Sequence, residues 1–238
     1  MRFIKGYWRF IAVALAAGIL AWVGYGYYQE NVKLVPEELL DEALKNTLAA
    51  SSYRYDISVR LTVDGREEKL SQVTGERDAQ GNFHVQGEMT GQPTEAYQIE
   101  DTTYLKDPVT SKWMVIPGNN LFQQELFMAE INPVAMLNIS QPRDLEYLGK
   151  QEGQGGQVYV LKLRPQVVEN RFLNIYAQDF TYSLHISRNN RHVSRAEVEA
   201  TSKANTNTRI FFTVDFFDYN ARIAIEPPVQ GPASQTGR

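Results

Sequence analysis

Between Tyr53 and Val63 the side chains alternate without a break. Tyr53, Tyr55, Ile57, Val59, Leu61 and Val63 are apolar or aromatic, and Arg54, Asp56, Ser58, Arg60 and Thr62 are polar. Successive side chains of a strand point to opposite faces, so the pattern predicts one strand with a greasy face and a wet face. It is eleven residues long and runs into Asp64-Gly65, a strong hairpin signal. The pattern recurs. Phe83, Val85, Gly87 and Met89 alternate with polar residues, as do Tyr97 with Ile99 and Tyr182 with Leu184 and Ile186. Leu70 and Val73 are out of phase, which predicts a bulge, and a second bulge is needed to keep Val193, Ala196 and Val198 together. No crossover helix interrupts the hairpins, so the sheet is expected to be antiparallel, with one face to cover.

Helical patterns are few. Pro36 suits the first position of a helix running to Ala50, with Leu40, Ala43, Leu44, Thr47 and Leu48 as its apolar stripe. From Gly118 to Ser140 the strand rhythm stops. Leu121, Phe122, Leu126 and Phe127 fall at helical spacing, followed by Met128, Ile131 and a breaking Pro133, and Val134 to Leu137 suggest a further helical turn. Gln166 to Gln178 is ambiguous and reads as a helix with Phe172, Leu173 and Tyr176 inward. Arg209 to Tyr219 is apolar on both faces in part, which predicts a strand that sits centrally or under a loop.

Residues 1–9 carry Arg2, Lys5 and Arg9, and residues 10–28 contain no charge. As a helix that run spans about 28 Å, the thickness of a bilayer core, with aromatic residues at both ends. The expectation is a single-pass cell-membrane protein with a cytoplasmic N-terminus. A cleaved signal peptide and a buried core helix are the alternatives. Residues 29–35 form a linker, 36–228 the extracytoplasmic domain, and 229–238 a disordered tail.

Chemistry is scarce. The chain has no Cys, which removes disulfides, thiolate metal sites and a lipidated cysteine. Its net charge of −4 argues against nucleic-acid binding. His84, His185 and His192 are its histidines, none at a metal-ligand spacing from another, and His84 and His185 are expected to be exposed on wet strand faces. No phosphate-binding loop is present and no carboxylate pair stands out. The sequence therefore predicts no catalytic residues, no cofactor and no metal.

The order of elements resembles the LolA-like carriers of bacterial lipoproteins and the LppX/LprG-like lipoproteins. Local wording is similar too: Ser52-Tyr53-Arg54-Tyr55-Asp56, Thr102-Thr103-Tyr104-Leu105, Asp107-Pro108 to Lys112-Trp113, Phe216-Phe217-Asp218-Tyr219-Asn220 and Ile225-Glu226-Pro227. The resemblance covers about residues 36–228. It implies an α+β fold, a strongly curved antiparallel sheet (a half-open barrel) with helices on its concave face, here preceded by one transmembrane helix. It also implies a cavity for a lipid or acyl chain. The apolar residues expected to line that cavity are Tyr55, Ile57, Val59, Leu61, Phe83, Val85, Met89, Tyr97, Ile99, Phe122, Leu126, Phe127, Met136, Leu184 and Phe212. The alternative is a non-enzymatic scaffold or sensing module with a filled core, partnered by other envelope proteins.

Overall fold

A computed structural model describes residues 12–22, 24, 34–118 and 128–229. The chain divides at Leu39/Leu40 into a short N-terminal unit and a large C-terminal one. In the first unit residues 12–22 are helical (α1), with Val13, Leu15, Ile19, Leu20 and Trp22 exposed. No helix among the described residues is long and apolar enough to cross a membrane. Helix α1 covers the middle of the expected 10–28 span. Both ends of that span, most of the linker and tail residues 230–238 lie outside the described residues.

Among the described residues eleven strands form one antiparallel, curved and unclosed sheet. In chain order they are β1 (Tyr53–Val63), β2 (Arg66–Arg77), β3 (Phe83–Met89), β4 (Gln92–Ile99), β5 (Thr102–Lys106), β6 (Trp113–Ile116), β7 (Ile139–Gly153), β8 (Gly156–Val168), β9 (Ala177–Ser187), β10 (Val193–Ser202) and β11 (Thr208–Phe217). Their spatial order is β6-β5-β4-β3-β2-β1-β11-β10-β9-β8-β7. Two meanders are thus joined where the first strand meets the last, and β1 stands at the centre. The antiparallel pairing is what the hairpin pattern predicts, and the curved, unclosed sheet is consistent with the half-barrel that the resemblance implies.

The β1–β2 turn has the left-handed pair that a two-residue hairpin loop requires, with Asp64 at φ 49° and Gly65 at φ 80°. The bulge expected near Leu70 lies between the pairs Val59↔Ser71 and Arg60↔Lys69. The bulge expected after Val193 is also present. Strand β11 is central, as its two-sided apolarity allows.

Inward residues follow from register, because directly paired residues share a face. One row runs Ile57, Val214, Ala196, Leu184, Leu161, and the next runs Val59, Phe212, Val198, Tyr182, Leu163. All ten side chains are buried, nine of them at 1% exposure or less. On the other side of β1 the row is Tyr55, Gly75, Val85, Ala96. The Tyr55 ring lies flat across Gly75, where a Cβ would come within 2.3 Å of its Cζ.

Helix α2 (Pro36–Leu48) carries Glu37 and Glu38 in its first turn and Lys45 in its last, matching the helix dipole. Leu40, Ala43 and Thr47 are buried, whereas Leu48, expected in the stripe, is 44% exposed. The Thr47 hydroxyl accepts from the Val193 amide at 2.9 Å, fixing the end of α2 to the start of β10. The interruption after β6 contains α3 (Met128–Ile131), which ends before Pro133 as expected, and a 3₁₀ helix (Pro133–Leu137) that starts at that proline. Helix α4 (Arg171–Tyr176) joins β8 to β9. Its Leu173 is buried, but Tyr176, expected inward, is 52% exposed, and the Phe172 side chain lies outside the described residues.

Because Tyr55 is wholly buried and held from both sides, Gly75→Ala has no room to relax. The substitution is expected to destabilise the protein by about 1–3 kcal/mol as an overpacked core site, measured by urea unfolding.

Candidate functional site: the concave face and its cover

The buried face of the sheet is crossed by the short α3 and the 3₁₀ helix, and the C-terminal end of α2 is tied to the start of β10. Such short helices leave carbonyls without intrahelical donors. Sheet tyrosines supply them. Tyr55 Oη lies 2.6 Å from the Ile131 carbonyl and 3.0 Å from that of Glu130, sharing its single proton. Tyr182 Oη donates to the Met136 carbonyl at 3.0 Å, and Tyr53 Oη to Asn132 Oδ1 at 3.0 Å. The Ser71 hydroxyl donates to Glu130 Oε1 at 3.0 Å. The crossing is therefore pinned at both ends by side chains from β1, β2 and β9. Between those pins Val134, Met136 and Leu137 are buried.

Burial raises the hydroxyl pKa of Tyr53, Tyr55 and Tyr182, the Arg77 charge opposing it at Tyr53. These tyrosines stay protonated donors. Burial also lifts the Glu130 carboxyl above its ordinary value of 4.5, against the hydrogen bond from Ser71.

The expected cavity residues do not all meet. Tyr55, Ile57, Val59, Val85, Met136 and Leu184 are packed at 1% exposure or less, and Phe83 and Phe212 are buried beside them. Leu61 and Met89 are half-buried at the far end of β1 and β3, next to a half-buried Ile210. There the apolar face emerges from its cover. A second opening, of about 490 Å³, lies beside Tyr53, between Leu48, Val134, Asn138 and Asn170. Phe122, Leu126 and Phe127 lie outside the described residues.

Tyr97 and Ile99 stand on the outer face, a correction to the expected phase of β4. Ala96 and Gln98 are the buried residues of that strand. The row that carries the Tyr55 ring has small residues at Gly75 and Ala96, and the large side chains of β4 point away from it. Tyr97 stacks on His84 with ring centroids 4.0 Å apart. His84, expected to be exposed, is mostly covered, with Glu76 and Glu95 carboxylates 3.5 and 3.6 Å from its two nitrogens. His185 is half-buried, and desolvation lowers its pKa, with Glu197 opposing. Among the described residues no group of three or more His, Asp or Glu is placed to hold a metal ion.

No protein-family model and no curated protein matches the sequence. Solved structures do. The lipoprotein LppX of Mycobacterium tuberculosis superposes with a TM-score of 0.55 at 14% identity, over 80% of this chain and 99% of LppX. LprF from Mycobacterium bovis superposes with a TM-score of 0.54 at 13% identity, over 82% of this chain and 97% of its own. The fold is LppX-like. That is the architecture the resemblance implied, and at these identities it is the fold alone that is shared.

Two measurements follow from the pinned crossing. Tyr55→Phe leaves the Ile131 carbonyl buried without its donor, and a loss of about 1–3 kcal/mol is expected on urea unfolding. For Glu130, a raised folded pKa means the folded state binds the proton more tightly than the unfolded chain. Its contribution is complete below 4.5 and is lost as pH rises through the folded value. Glu130→Gln is therefore expected to lose less stability than the parent when pH is raised across that window. Parallel pH curves would contradict it.

Proposed function

We propose that the domain binds a lipid or lipoprotein acyl chain against the concave apolar face, for holding or local transfer, with no catalytic step. The observation that carries this reading is the kind of cover the face has. An LppX-like sheet that never closes presents rows of Ile, Val, Leu and Phe, and separable helical pieces lie over them in place of further strands. An apolar chain entering beside Leu61, Met89 and Ile210 extends the same surface inward as the 3₁₀ crossing moves aside. Burial of its methylenes supplies about 0.8 kcal/mol each. Ile57, Val59, Val85, Met136, Leu184 and Phe212 then form the wall it meets.

Membrane attachment belongs to the same proposal. The apolar Val13, Leu15, Ile19, Leu20 and Trp22 of α1 are exposed, and a bilayer is the medium that suits them. The basic Arg2, Lys5 and Arg9 place the N-terminus on the cytoplasmic side and the LppX-like domain outside, beside other envelope proteins. A second reading, a scaffold or sensing module of an envelope complex, is favoured by the packed middle of the face.

Organic extraction of the purified full-length protein, followed by mass spectrometry, separates the two. Acyl species are expected to co-purify at near one equivalent, and Leu61→Asp, at a half-buried position that tolerates folding, is expected to lose them. An extract free of acyl chains supports the scaffold reading, and one unchanged in the folded variant moves the binding site away from Leu61.

A further inference from the structure

Strands β8 and β9 part company before they end. Their ladder stops at Leu163↔Tyr182, although β8 continues to Val168 and β9 begins at Ala177. Each remains paired on its other side, β8 with β7 and β9 with β10. The wedge between them is a cleft of about 1000 Å³, bridged by α4. Apolar chemistry does not explain it. Its lining carries Arg143, Arg164, Lys203 and Arg209 against Asp144 and Asp179, an excess of positive charge in a chain whose net charge is −4.

The cations are only partly neutralised. Arg209 pairs with Glu199 at 3.1 Å, and Arg164 reaches Asp144 at 3.6 Å. Lys203 donates to the Asn174 carbonyl, which carries no charge to offset its own. Arg143 and Lys203 have no carboxylate partner among the described residues. Moreover, Arg143 and Arg164 are direct cross-strand partners. Like charges placed opposite one another destabilise a sheet. An anion bridging the two guanidiniums turns that repulsion into paired, charge-assisted hydrogen bonds. An added β-strand fits the cleft less well, because Pro165 in the middle of the β8 edge has no amide to donate.

We propose that the β8–β9 cleft is a binding site for a phosphate-bearing anion, held by Arg143 and Arg164 with Lys203 and Arg209 around it. The phosphate comes from a lipid head group or from a free phosphate ester. The first source rests on the lipid reading above, and the second does not.

The test uses the full-length protein in a non-ionic detergent, titrated with inorganic phosphate, dihexanoyl phosphatidic acid and uncharged dihexanoylglycerol. Phosphate and phosphatidic acid are expected to bind saturably, and Arg143→Gln/Arg164→Gln to weaken both by about tenfold or more, the scale of a lost charge-assisted contact. Dihexanoylglycerol is expected to be indifferent to the substitution. Tighter binding of phosphatidic acid than of phosphate assigns the head group as the source. Phosphate binding that depends on the arginines, with neither lipid bound, keeps the cleft as a phosphate-ester site and removes the lipid reading. Binding of phosphate and phosphatidic acid that is absent, or unchanged by the substitution, overturns the cleft whatever dihexanoylglycerol does. If the double variant fails to fold, Lys203→Gln is read in the same way.

Discussion

A tyrosine can be sunk into an apolar core only if its hydroxyl finds an acceptor there. Tyr55 and Tyr182 solve this by reaching the carbonyls at the ends of the α3 and 3₁₀ crossing, which have no helical donors of their own. Each side removes the other's unsatisfied group. The sheet thereby gains a cover over its concave face, and the crossing gains a fixed position, although its two helical pieces are only four and five residues long. Gly75 belongs to the same arrangement, because the Tyr55 ring reaches the crossing only by lying across a residue without a side chain.

Strand periodicity made most of the fold readable. The alternation in β1 fixed its inward set, and phase breaks at Leu70 and after Val193 located two of the sheet's bulges, because a slipped register turns every later side chain to the wrong face. Strand β4 misled for a physical reason. Tyr97 and Ile99 look like core residues by type, but the pairing of Val85 with Ala96 puts Ala96 and Gln98 on the buried face and turns Tyr97 and Ile99 outward. His84 misled similarly. Its strand face is the wet one, yet Tyr97 and two carboxylates from neighbouring strands cover it. The separation of β8 from β9 has no short-range signal, since both segments are good strands and only their pairing differs.

Two parts of the domain divide the chemistry between them. Apolar rows and pinned helices on the concave side suit a long hydrocarbon, held by area rather than by directed bonds. The cationic cleft beyond Leu163 suits a small charged group, held by directed bonds rather than by area. For the apolar face to be reached, the cover has to come away without the sheet coming apart. Its attachments favour this. The crossing is held by a few side-chain hydrogen bonds and one layer of apolar contact, whereas each central strand is held by ladders on both sides.

Native-state hydrogen exchange resolved by residue measures that difference most directly. The account predicts that amides of the 3₁₀ crossing, Val134 to Leu137, exchange through a local opening well below the free energy of global unfolding, while those of β1 and β11 exchange only with the whole domain. Equal protection of the crossing and the central strands would contradict it, because a cover that opens only when the sheet unfolds admits no ligand.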